Sequence, residues 1–153
     1  MESCRVVGSP EPLEVLEAAV VAELLEAGVV VCCAGGGGVP VARGADGRLH
    51  GVEAVIDKDL ASAVLAESIG ADLLLLLTDV PGVLRDHGTA RARLLERVRR
   101  VDVTDLDLPR GSMRPKAEAA LRFVERTGGR AVIGDVADVL DLAAGRTGTA
   151  ACP

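Results

Sequence analysis

The run Leu73-Leu74-Leu75-Leu76-Leu77-Thr78-Asp79-Val80-Pro81-Gly82 decides the fold class. Five consecutive leucines are far fewer than the roughly 20 apolar residues that span a bilayer. They read as the most convincing buried strand in the chain. Thr78 and Asp79 end the apolar run abruptly, and Pro81-Gly82 imposes a turn. In open α/β sheets ligands bind beyond the carboxyl ends of strands. The exit therefore has two readings, a ligand corner or a plain strand-to-loop exit with a capping Asp.

On the N-terminal side, residues 13–27 predict an amphipathic helix with Leu13, Leu16, Val20 and Leu24 on one stripe and Gly28 as its stop. The β-branched run 29–33 then predicts a short strand suited to burial on both faces, as in a parallel sheet, followed by Gly35-Gly36-Gly37-Gly38. Residues 39–41 and 49–55 predict two strands joined at Asp46-Gly47, a hairpin turn signal. Asp57 or Asp59 caps the next helix, whose stripe is Leu60, Val64 (with Leu65) and Ile69 before Gly70.

On the C-terminal side, residues 91–100 predict a short Arg-rich helix with a solvated face. A second helix carries Pro115 in its first turn and runs to about Arg126. A strand over 130–133 and a helix over 136–144 complete the pattern. Residues 1–12 contribute no strand. Alternating strands and helices imply one α/β domain over residues 1–153, with a mostly parallel sheet of about four or five strands.

Composition narrows the function classes. Apolar residues make up 49% of the 153, enough to build a core, and that core must be aliphatic because there is one Phe and no Trp or Tyr. A net charge of −6 and the lack of stacking aromatics argue against nucleic acid as a partner. No run is long enough to be a membrane span and no signal-peptide layout opens the chain, so the expected compartment is the cytoplasm. Cys4, Cys32, Cys33 and Cys152 lack metal-ligand spacing and read as small buried hydrophobes. No metal-ligating set is expected. His50 and His87 read as surface residues.

Four segments carry candidate chemistry. The glycine run 35–38 lets backbone amides approach an anion, although four glycines also make a loose loop. It is neither a Walker motif nor a dinucleotide fingerprint, since no Gly-Lys-Ser/Thr follows and Pro40 occupies the third glycine position. Asp57-Lys58-Asp59 is either a solvated charge pair or a phosphoryl-transfer group, in which a carboxylate holds a cation on the transferring oxygens. Thr78-Asp79-Val80 is the strand exit described above. Gly111-Ser112-Met113-Arg114-Pro115-Lys116 leads into a helix N-terminus, a natural seat for phosphates with a Lys nearby.

In order and spacing these segments resemble the carbamate kinases. The string Gly51-Val52-Glu53-Ala54-Val55-Ile56-Asp57-Lys58-Asp59-Leu60-Ala61 carries most of the specificity. Gly35 to Val41, Thr78-Asp79-Val80, Gly111 to Lys116, and Gly145-x-Thr147-Gly148-Thr149 support it. The opening Arg5-Val6-Val7-x-Ser9-Pro10-x-Pro12 is similar to a stretch in the middle of those enzymes, so the likeness is to their C-terminal, nucleotide-binding half. Acetylglutamate, aspartate and uridylate kinases resemble the Thr-Asp-Val and Gly-x-Met-x-x-Lys parts but have no Lys at the position of Lys58.

The resemblance implies a three-layer α/β/α sandwich, part of the amino-acid-kinase fold. It implies phosphoryl transfer between ATP/ADP and carbamate/carbamoyl phosphate, with Mg²⁺ accompanying the nucleotide. Lys58 and Lys116 would stabilise the moving phosphoryl group and Asp59 would orient them. Thr78, Asp79, Val80, Gly111, Ser112, Met113 and Pro115 would line the nucleotide site. Gly35, Gly36, Gly37, Gly38 and Asp57 would lie beside the carbamate. Three features depart from the family. Arg114 stands where Gly is usual, 101–110 is shorter, and His87 falls where an aromatic is common. The family's N-terminal half, with a further phosphoryl-binding lysine, is absent, so the expected partner is a second copy or that other half. A non-catalytic ATP/ADP-binding module or an interaction protein derived from the family are the alternatives.

Overall fold

The computed structural model describes residues 6–106, 108–109 and 111–153. The elements are α1 (Ala18–Glu26), β1 (Val41–Arg43), β2 (Leu49–Gly51), α2 (Lys58–Ser68), β3 (Leu73–Thr78), β4 (Leu84–Arg85), β5 (Arg93–Leu94), β6 (Arg97–Val98), α3 (Arg100–Asp105), α4 (Met113–Thr127), β7 (Arg130–Asp135), α5 (Val139–Ala143) and β8 (Thr149–Ala151). A 3₁₀ turn over Val136–Asp138 precedes α5.

The central sheet has the order β3-β7-β8-β6. β3 and β7 run parallel with Leu73 opposite Arg130 and Thr78 opposite Asp135; β6 and β8 are also parallel, and β7–β8 is antiparallel. The expected mostly parallel sheet is therefore present. Side-chain alternation builds the layers. Leu74 and Leu76 of β3 and Ala131 and Ile133 of β7 join the cluster containing Ala63 and Ala66 of α2 and Ala117, Ala120, Leu121 and Phe123 of α4. On the opposite face Leu142 of α5 lies where Cβ atoms at Gly134 and Gly148 would collide with it. Helices on both sides make the three layers that were expected.

Small residues set the spacing on the α2–α4 side. Ala63, Ala117, Ala119 and Ala120 are fully buried, so the two helices and the sheet approach closely, and Phe123 fills the remaining volume. Burying that ring contributes about 2–3 kcal/mol. Helix α4 ends at Gly128, whose φ of 70° puts it in the left-handed conformation that closes helices, with its N–H on the Val124 carbonyl. Arg122 of α4 donates to both Glu67 oxygens of α2 and also reaches Glu11, fastening the N-terminal segment to the pair.

Several expectations need correction. Residues 29–33 form no strand: Val30 is 91% exposed and Val29 45%, because no described strand lies beside them to complete a ladder. Cys32 and Cys33 are consequently exposed rather than buried, Cys152 is partly buried, and Cys4 lies outside the described residues, as does Arg5. The first helix begins at Ala18 rather than at 13, so Leu13 (89% exposed) and Leu16 precede it, and within it only Val21 is buried. Residues 91–100 are not a helix. Arg93–Leu94 pairs with β4, Arg97–Val98 joins the central sheet, and helix begins only at Arg100. The hairpin at Asp46-Gly47 forms with Val41 opposite Gly51; its first strand is shifted to 41–43 and its second ends at Gly51 rather than at 55. His50 and His87 are exposed as expected.

Candidate functional site

Asp57 and Asp59 divide two tasks at the start of α2. Asp57 is the cap: its Oδ1 accepts from Asp59 N at 2.8 Å and Leu60 N at 3.1 Å, satisfying amides the helix leaves open. That fixes the direction in which the next two side chains leave the helix. Asp59 turns inward and is 6% exposed; Lys58 turns outward, its side chain 58% exposed.

The inward carboxylate meets a residue 57 positions later. Lys116, one turn into α4 and 7% exposed, donates from Nζ to Asp59 Oδ1 at 2.9 Å and Oδ2 at 3.1 Å. Lys58 Nζ stands 3.6 Å from Oδ2 of the same carboxylate. One carboxylate thus serves two ammonium groups, one buried and one facing solvent. The trio keeps one positive charge beyond neutrality, carried by groups that are held in place. Such a surplus is what an anionic phosphoryl group would meet.

The glycine run completes one side. Gly37 is buried at φ 123°, and a Cβ there would collide with the Ile56 carbonyl, two residues before Lys58. Only glycine permits that approach, so the loop is seated against the segment that delivers Lys58 and Asp59. Gly35, Gly36 and Gly38 have open space around their Cα positions. The expected cluster of glycine loop, Asp57-Lys58-Asp59 and Lys116 is thereby brought together, with Asp57 serving the helix terminus.

The expected nucleotide residues are arranged less uniformly. Thr78 closes β3 opposite Asp135, and its Oγ1 donates to Asp79 Oδ1 at 3.2 Å, so both polar groups sit at the carboxyl end of the strand pair. Val80 packs against the core cluster that includes Met113, making these two residues apolar supports for their loops. Gly111 and Ser112 are exposed. The Ser112 side chain makes no capping bond, so the first amides of α4 receive none from it. Pro115 lies in the first turn of α4 as expected. Among the described residues no hydrogen bond or ion pair joins Thr78-Asp79-Val80 to the two lysines.

Sequence reasoning missed Thr149. Its hydroxyl, fully buried, donates to the Leu95 carbonyl at 2.6 Å and accepts from Val83 N at 2.9 Å, tying the loop after Asp79 to β8. The Gly-x-Thr-Gly-Thr string was the available signal, but nothing in it distinguishes a buried bridging hydroxyl from a surface one.

A profile of the amino acid kinase family matches residues 2–135. The chain belongs to the amino acid kinase family. Within it, the carbamate kinase of Haemophilus influenzae is 44% identical over 145 residues, 95% of this chain and 47% of that protein. The carbamate kinase of Pyrococcus furiosus is 44% identical over 153 aligned positions, 97% of this chain and 48% of its own length. Carbamate kinase from Giardia lamblia bound to AMP-PNP superposes with a TM-score of 0.87 at 37% identity, covering 95% of this chain and 52% of that one. A crystal structure from Aeropyrum pernix K1 gives 0.89 at 44% identity over 96% and 48%. The chain therefore spans about half the length of the curated relatives it matches.

Proposed function

We propose that this chain is the nucleotide-binding, phosphoryl-handling part of a carbamate kinase. The reaction is reversible: a carbamate oxygen attacks the γ-phosphorus of ATP, the bond to the ADP oxygen breaks, and carbamoyl phosphate leaves. The observation that supports this most directly is the single carboxylate of Asp59 holding Lys116 and Lys58 at 2.9 Å and 3.6 Å. In flight the phosphoryl group spreads negative charge over its peripheral oxygens, and fixed ammonium groups need no reorganisation to meet it. Lys58 and Lys116 supply the charge and Asp59 orients them. The glycine loop 35–38, with Asp57 beneath it, lies beside the carbamate. Thr78, Asp79, Val80 and the 111–115 loop receive the nucleotide, in keeping with the relative that binds AMP-PNP.

Mg²⁺ would arrive with the nucleotide. Among the described residues no group of three or more His, Cys, Asp or Glu side chains is placed to hold a metal. Mg²⁺ commonly keeps several waters and is carried mainly by phosphates. Its chemistry there is charge neutralisation. Among the described residues no helix is long and apolar enough to cross a membrane. We place the enzyme in the cytoplasm, working as a homodimer or with a partner equivalent to the relatives' other half.

The test is ATP formation from carbamoyl phosphate and ADP. We expect turnover from the 153 residues only when the N-terminal half of a homologous carbamate kinase is supplied. Robust turnover from these residues alone would show that the catalytic groups have been misassigned.

A further inference from the structure

Residues 85–100 hold six arginines against Asp86 and Glu96, a local charge of +4 in a chain whose total is −6. Three of the six, Arg85, Arg91 and Arg93, belong to the β4–β5 hairpin that leaves the sheet just after Thr78-Asp79-Val80. The register is unusual: Arg85 sits directly opposite Arg93, and Leu84 opposite Leu94. Opposed residues of an antiparallel pair share a face, with Cβ atoms about 5 Å apart. A Cβ at Gly82 would strike Leu94 Cδ1 and Thr149 Oγ1, so the leucine pair faces the body of the protein. The arginine pair therefore points away from it.

Like charges placed directly opposite each other destabilise a strand pair, and among the described residues no salt bridge offsets them, although Asp86 lies next in sequence to Arg85. All three arginines are exposed, and among the described residues none of their guanidiniums makes an ion pair or hydrogen bond, whereas Arg99, Arg100, Arg114, Arg122, Arg126 and Arg146 each hold a carboxylate. Arg91 flanks the pair at the hairpin tip. There its N–H rests on Thr89 Oγ1, and with Asp86, Thr89 and Ala90 it lines a shallow depression. Guanidinium forks match phosphate oxygens two by two, and two of them side by side suit a doubly charged anion.

We propose that the outer face of this hairpin is an anion site, built on Arg85 and Arg93 with Arg91 at its edge, that takes the phosphate groups of a small phosphorylated ligand. It uses none of the residues of the Asp59 carboxylate and its two lysines, and it does not depend on the carbamate kinase reading.

The probe is inorganic pyrophosphate, titrated calorimetrically into the full chain at low ionic strength. The double variant Arg85→Gln/Arg93→Gln should weaken binding by about tenfold or more, the effect of losing charge-assisted hydrogen bonds. Arg48→Gln, at an exposed arginine of the β1–β2 turn, should leave that binding event unchanged. In anion-free buffer the double variant should also melt no lower than the parent, since it relieves a like-charge pair. Unaltered pyrophosphate affinity in the double variant, or an equal loss in Arg48→Gln, would overturn the site. So would tighter binding of a single-stranded oligonucleotide than of pyrophosphate through the same two arginines, which would reassign it to nucleic acid.

Discussion

Helices α1 and α2 are of similar length, 9 and 11 residues, and both carry apolar residues at helical spacing. Helix α2 buries six residues and α1 buries one, Val21. The same contrast runs through the chain: Val21 is the only described core residue before Ala61. The difference lies in what stands opposite. Helix α2 has α4 and the sheet beneath it, whereas the stripe of α1 meets little of the described structure beyond α2. Periodicity tells which face of a helix is apolar; burial needs a second surface as well.

Substitutions on the two helices should separate accordingly. The largest effect belongs to Asp59→Ala, which strands the Lys116 ammonium in the core. We expect a loss of about 3–5 kcal/mol, read by urea unfolding. An effect near zero would mean that the Lys116 side chain escapes to solvent and that α2 and α4 are not locked at this point.

Next is Arg122→Ala, which leaves Glu67 half-buried without its main donor and should cost about 1–3 kcal/mol. The hydrogen bond that Arg122 donates to Glu67 holds its guanidinium above its ordinary pKa, with burial opposing and the charges of Glu67 and Glu11 assisting. A raised value favours the protonated form, so this contribution is complete below the unfolded-state pKa and is lost only in strong alkali. Replacing Arg122 should therefore lower stability equally across the neutral range.

Removing the cap with Asp57→Ala should cost about 1 kcal/mol, checked by thermal melting. The smallest effect belongs to α1. Val20→Ser, at a position 57% exposed, should change stability by no more than about 0.5 kcal/mol. A loss of several kcal/mol would show that another surface covers α1 in solution and would erase the contrast between the helices.

How much could be read in advance follows the same division. β3, α2, α4 and β7 were legible because their patterns are long and their partners lie within the described chain. The Asp59–Lys116 pair was not legible from spacing, since 57 residues intervene; only the likeness to a family put the two in one site. Residues 29–33 carry the residue types of a strand, yet a strand also needs a ladder neighbour, and hydropathy gives no sign of one. The arginines of 91–100 suggested a helix because short two-residue strands leave no periodicity to detect. β8, Thr149–Ala151, is too short for its pattern to stand out, and a buried hydroxyl gives no sign in sequence.

Asp59 holds two cations proposed to meet the phosphoryl group, but only Lys116 also locks α2 to α4, so Lys58 separates chemistry from stability. In the enzyme completed with the N-terminal half of a homologous carbamate kinase, Lys58→Ala should leave unfolding stability within about 0.5 kcal/mol, because its side chain is largely solvated. ATP formation from carbamoyl phosphate and ADP should fall by about 10²-fold or more in kcat, the scale for losing a positioned electrostatic group. An unchanged kcat in that variant would contradict the assignment of this site to phosphoryl transfer.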